Sequence, residues 1–143
     1  MDDVVPMLLS LLLGTMLGWE RQSDNKPAGL RTHTLVCLGS TLFVLTARHA
    51  VLTAGSTTFD PARIIHGIVT GVGFLGAGSI LRHEGLVVGL TTAASIWIVA
   101  AIGAAVGVKA YALAGISTLL ALIVLRLYRK ADAWLGRGDG ARP

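Results

Sequence analysis

Apolar residues fill long, nearly unbroken stretches of this chain, where a soluble helix would confine them to one face and a strand to alternate positions. The first run, Val4 to Trp19, ends in Trp19-Glu20-Arg21, an aromatic followed by a charge pair suited to a membrane–water boundary. After the polar stretch Arg21 to Arg31, a second run between Thr32 and Ala54 surrounds the apolar segment Leu35 to Ala47. Arg48 and His49 stand near its far end, where they can snorkel outward. Asp60-Pro61 matches a helix start, an N-cap followed by proline at the first helical position, and opens a third run reaching about Leu81. Arg82 to Gly89 reads as a connection. Two further runs follow, Leu90 to Val108 and Ala110 to Leu127, the last flanked by Tyr111 and Tyr128 as interfacial anchors. The pattern predicts an all-α polytopic membrane domain over residues 1–128, with spans at about 4–19, 32–54, 62–81, 90–108 and 110–127, and a polar tail over 129–143.

Composition agrees with this reading. Residues are 53% hydrophobic and 14% charged, too few polar groups to cover a globule in water. A hydrocarbon core about 30 Å thick needs roughly 20 apolar residues per helix, so five spans use most of the 143 residues. The net charge of +4 does not point to nucleic acid, because the twelve Lys and Arg residues are scattered between apolar runs. The single cysteine, Cys37, says little about redox compartment. The start Met1-Asp2-Asp3 lacks the basic region of a signal peptide, so the first run is expected to be a retained anchor. With five spans, one set of ends carries nine of the twelve cations: Arg21, Lys26, Arg31, Arg82, Arg126, Arg129, Lys130, Arg137 and Arg142. The other set has Arg48, Arg63 and Lys109. Positive charge favours the cytoplasmic face, which predicts an external N-terminus and a cytoplasmic tail.

At an offset of sixty residues the sequence partly repeats itself: Gly18 meets Gly78, Gly29 meets Gly89, Leu30 meets Leu90 and Thr32 meets Thr92. Both copies fall where a span ends, a loop follows and the next helix begins. Two co-oriented hairpins plus a fifth helix is one reading; chance similarity between glycine-rich apolar segments is the other. Small residues also recur four apart, in Gly14 with Gly18, Gly67 with Gly71 and Gly103 with Gly107, a spacing that lets helix backbones approach closely. The third run adds Gly73, Gly76 and Gly78. Helix packing accounts for these glycines; a kinked third span lining a pathway also would.

The segment Lys26-Pro27-Ala28-Gly29-Leu30-Arg31-Thr32-His33 brings a helix N-terminus beside cations, and Gly89-Leu90-Thr91-Thr92 opens another helix on the same side. Free N–H groups, threonine hydroxyls and Arg31 suit an anion there. Alternatively Thr32, Thr91 and Thr92 cap their helices while Arg31 pairs with Glu20. Together with Arg21, these residues form a candidate cytoplasmic corner. Asp60 and Arg63 form a candidate external pair, Arg63 following one turn after the cap. Of the eight acidic residues only Glu20 and Asp60 sit at span boundaries, so a magnesium ion has no clear ligand set and no cofactor is implied. His33, His49, His66 and His83 show no metal-binding pair at helical spacing, and no catalytic motif is present.

The strings Lys26-Pro-Ala-Gly-Leu-Arg-Thr-His33, Asp60-Pro-Ala-Arg-Ile64, Val69-Thr-Gly-Val-Gly-Phe-Leu-Gly-Ala-Gly78 and Gly89-Leu-Thr-Thr-Ala-Ala-Ser-Ile-Trp97 together resemble the MgtC/SapB family of bacterial inner-membrane proteins, over roughly Leu9 to Leu127. The resemblance implies a five-helix membrane domain associated with adaptation to low magnesium, acid stress and, in some pathogens, survival inside macrophages. Its best-known virulence members act on the proton-translocating ATP synthase and continue into a soluble C-terminal domain. With only a short tail as far as Pro143, this chain is expected to be closer to the short SapB-like branch. The motif positions that carry over are Glu20, Arg21, Lys26, Gly29, Arg31, Thr32, Asp60, Arg63, Thr91, Thr92 and Trp97. The expected function is therefore non-enzymatic: a bilayer-embedded protein working in magnesium or stress homeostasis by contact with its own copies or with another membrane complex. The alternative is a small ion or solute transporter or channel with its path beside the third span.

Overall fold

The computed structural model describes residues 2–53, 60–83 and 86–134. Five helices dominate: α1 (Val4–Ser23), α2 (Leu30–Thr53), α3 (Pro61–Gly78), α4 (Leu90–Gly107) and α5 (Tyr111–Trp134). Four of them, α1, α2, α4 and α5, are long and apolar enough to cross a membrane. α3, which carries Arg63 and His66 in its first two turns, is not among them. The expected connection after α3 contains two short antiparallel strands, β1 (Leu81–His83) and β2 (Leu86–Val88), with Leu81 opposite Val88 and His83 opposite Leu86. The helix α5 also continues past Arg129 to Trp134, so the start of the expected polar tail is helical.

Local chemistry explains the helix ends. α1 stops in a Schellman-type turn: Asn25 adopts the left-handed conformation (φ 52°) while the Lys26 N–H returns to the Arg21 carbonyl at 3.1 Å. α4 ends the same way, with Lys109 at φ 64° and Ala110 N–H bonded to the Ala105 carbonyl at 2.9 Å. At the start of α3, Asp60 accepts the Ala62 N–H at 3.0 Å and Pro61 follows as the first helical residue.

α2 and α4 form the centre, α1 packs on both, α3 leans mainly on α4, and α5 lies against α4 and α1. Thr41 donates to the Gly103 carbonyl, and His33 meets Ser95. Both pairs are sixty-two residues apart, which requires α2 and α4 to run parallel. α1 is antiparallel to α2, since Thr15 meets Thr34 while Asp3 meets Arg48. Leu17, Cys37, Val99, Ile102 and Val106 fill the junction of α1, α2 and α4. A second cluster, including Val44, Ile68, Val72, Ile96 and Ala100, joins α3 to α2 and α4. In lipid, apolar contact gives helices no solvent-driven reason to associate, so shape decides. A Cβ on Gly107 would lie 2.6 Å from Val44, one on Gly18 2.7 Å from the Leu30 backbone, and one on Gly14 2.8 Å from Cys37. At Gly103 it would overlap the Cys37 carbonyl.

Candidate functional site

Two neighbouring residues at the end of α1 carry buried charges. Glu20 and Arg21 are 3% and 2% exposed, and the Arg21 guanidinium grips the Glu20 carboxylate with two bonds, Nε to Oε2 at 2.5 Å and Nη2 to Oε1 at 2.8 Å. Adjacent helical residues normally diverge. Here the two long side chains close on each other directly, and both are buried. Arg21 also lies 3.7 Å from Asp24, whose other oxygen receives Arg129 of α5. The Asp24 Oδ2 is buried without a hydrogen bond.

His33, fully buried in the first turn of α2, closes this corner toward α4. Its Nδ1 lies 3.0 Å from the Gly29 carbonyl, which can only accept, so Nδ1 carries a proton. Nε2 faces the Ser95 hydroxyl at 3.0 Å, and that hydroxyl also reaches the Thr92 carbonyl at 2.8 Å. A hydroxyl has one proton to donate. When the ring is neutral, Ser95 donates to Nε2; when it is protonated, Nε2 donates and the hydroxyl turns to Thr92. The corner thus accommodates either protonation state by rotating one hydroxyl, with Glu20 and Arg21 close enough to act on the ring electrostatically.

Of the residues singled out by sequence, Glu20, Arg21 and Thr92 are buried in this corner, whereas Lys26, Arg31 and Thr91 are exposed and Thr32 is half-buried. The expected pairing of Arg31 with Glu20 does not occur, because Arg21 already satisfies that carboxylate. Nor do the threonines cap. The Leu30 N–H that opens α2 is taken by Gln22 Oε1 at 3.1 Å, and Gly89, left-handed at φ 93°, precedes α4 without a side-chain cap. Gly89 must be glycine here, since a Cβ would overlap the Ser79 carbonyl. Asp60 caps α3, but among the described residues no ion pair joins it to Arg63. Among the same residues there is no cluster of three or more His, Cys, Asp or Glu able to hold a metal. Sequence reasoning missed Asp24 and Ser95 as members of the corner. A short polar residue one turn into an apolar helix, as Ser95 is, was the available signal for one of them.

At the opposite end, Arg48 Nη2 and His49 Nε2 each hold an Asp3 oxygen at 2.5 Å. The His49 hydrogen bond, followed by the charges of His49, Arg48 and Lys109, holds the Asp3 carboxyl below its ordinary value. The glycines of α3 behave unlike the others. A Cβ at Gly67, Gly71, Gly73 or Gly78 would meet nothing within 4 Å, and at Gly76 it would make only ordinary contact with Ala93. Grooves lie on both sides of α3: one of about 660 Å³ against α2, and one of about 330 Å³ against α4 and the start of α5.

Similarity to known proteins agrees with this architecture. YhiD of Escherichia coli, named for a proposed role in magnesium transport, is 41% identical over 132 residues, covering 90% of this chain and 61% of YhiD. Protein SrpB of Synechococcus elongatus is 41% identical over 143 residues, covering 90% of this chain and 77% of SrpB. Protein MgtC of Salmonella typhimurium is 40% identical over 129 residues, covering 90% of this chain and 53% of MgtC. The chain thus spans about three-fifths of YhiD and about half of MgtC. No solved structure matches it. Four helices able to cross a membrane and these bacterial relatives support a bacterial inner-membrane protein. With residues 7–134 matching the family's sequence model, the chain belongs to the MgtC family.

Proposed function

We propose that this protein is a non-enzymatic membrane component of magnesium or stress homeostasis that acts by helix-mediated contact with its own copies or with another membrane complex. The observation that carries the reading is the contrast within the bundle. α1, α2 and α4 are locked by glycine contacts around a buried charged corner, while α3 leaves four glycines open on its surface. The name of YhiD supplies the link to magnesium. The N-terminus faces outward and the residues around Arg129 face the cytoplasm, following the distribution of cations. Crosslinking in native membranes tests the reading: cysteines at Gly73 and Gly78, which are open but line neither groove beside α3, should capture a second copy or a discrete membrane partner. A chain that stays monomeric in lipid and captures nothing would overturn it.

A second reading is favoured by one arrangement, the His33 ring poised between Ser95 and Gly29 beside buried Glu20 and Arg21. Ionisable groups inside membrane helices commonly mark ion or proton paths. On this reading the protein is a small transporter, and reconstituted vesicles should pass protons or magnesium in a manner abolished by His33→Phe. Vesicles impermeable to both under either polarity of gradient would remove it.

A further inference from the structure

We infer that the groove between α2 and α3 is a binding site for a phospholipid, with its phosphate on Arg63 and one acyl chain lying along Gly67 and Gly71. The inference goes beyond the proposed function and stands without it. Helical glycines cost about 1 kcal/mol each relative to alanine, and those of α1 and α4 offset this through backbone contacts that no larger residue permits. Gly67 and Gly71, with Gly39 facing them from α2, have no such contact; they widen a groove instead. Leu35, Phe43, Ile64, Val72 and Leu75 line the same groove, which is almost wholly apolar. Arg63 is the single charged residue in the lining.

Position and charge identify the occupant. From Arg63 to Leu75 is twelve residues, about 18 Å along a helix, and one leaflet's hydrocarbon is about 15 Å deep. A lipid whose headgroup lies at the Arg63 end therefore has its acyl chain at groove depth throughout. The exposed Arg63 guanidinium pairs with no carboxylate among the described residues, so it is available to a phosphate oxygen, which it binds with two parallel N–H donors. A second copy of α3 fits this charge pattern poorly. Two copies inserted in the same direction and related by an axis normal to the membrane would bring their Arg63 residues to the same depth.

The full chain should be reconstituted in nanodiscs of phosphatidylglycerol mixed with phosphatidylcholine, then released and weighed intact by native mass spectrometry. The wild type should retain phosphatidylglycerol in preference to phosphatidylcholine. Arg63→Gln should weaken retention about tenfold, the loss expected for a charge-assisted hydrogen bond. Gly71→Leu should abolish it by filling the groove, and Arg126→Gln should leave it unchanged. Gly39→Leu, entering from the α2 side, repeats the test should Gly71→Leu fail to fold. Equal retention by wild type and Arg63→Gln would overturn the inference. So would a disulfide between copies through Gly67→Cys that forms at full yield without displacing lipid.

Discussion

Glu20 and Arg21 satisfy each other away from water, so removing one leaves the other stranded. Arg21→Met should cost about 3–5 kcal/mol of stability, measured by unfolding in bicelles, whereas Glu20→Gln combined with Arg21→Met should recover most of that loss. Asp3 gives a pH signature at the other end. Its carboxyl titrates below the ordinary range in the folded chain, so the clamp with Arg48 and His49 contributes stability above the unfolded carboxylate pKa. That contribution fades as pH falls through the lower folded value. Thermal midpoints of wild type and Asp3→Asn should accordingly differ at pH 6 and converge toward pH 3. Glu20 was identifiable from sequence as a boundary carboxylate, but its partner was not. Neighbours in sequence are poor candidates for pairing on a helix, and the burial that brings Arg21 onto Glu20 is a property of the packed bundle.

Glycine carries opposite meanings on different helices. Gly103→Ala places a methyl group into the Cys37 carbonyl and should destabilise the protein by about 1–3 kcal/mol. Gly71→Ala meets open space and should stabilise by up to about 1 kcal/mol through helix propensity alone. Thermal unfolding of the two variants side by side in one detergent decides the point. In the sequence both positions belong to the same four-residue spacing, and nothing local distinguishes them; the neighbouring helix does. α5 makes a similar point, since its described side chains are buried only at Ala114 and Thr118. Ala114→Leu should push α5 off the bundle, while Leu120→Ala should leave the fold intact, a contrast readable from the fluorescence of a probe at position 121.

The parallel course of α2 and α4 sorts the chain ends of the whole molecule into two groups. Asn25, the start of α4 and Tyr128 share one end, tied by the Arg129–Asp24 pair; Asp3, Arg48 and Lys109 share the other. In a Cys37→Ala background, cysteines at positions 25 and 128 should label from the cytoplasm and those at 48 and 109 from outside. The apolar runs made the five helices legible in the sequence, and the glycine and threonine matches hinted at co-oriented hairpins. The short strands after α3 and the helical start of the tail escaped notice, because residues with mixed polarity at a boundary fit loop, strand and helix equally well.

α3 opens with Arg63 and His66 in its first two turns, and this bears on how the protein is made. That arginine, with the neighbouring histidine and glycines, offsets part of what Ile64, Ile65, Ile68, Val69, Val72, Phe74 and Leu75 gain on insertion. A nascent chain halted after α3 should leave that helix largely outside the bilayer. Once α4 is synthesised, Ile68 and Val72 acquire partners in Ile96 and Ala100, and the segment gains a reason to stay. The second hairpin should then behave as the unit of biogenesis, with α3 settling in the membrane once α4 has followed it.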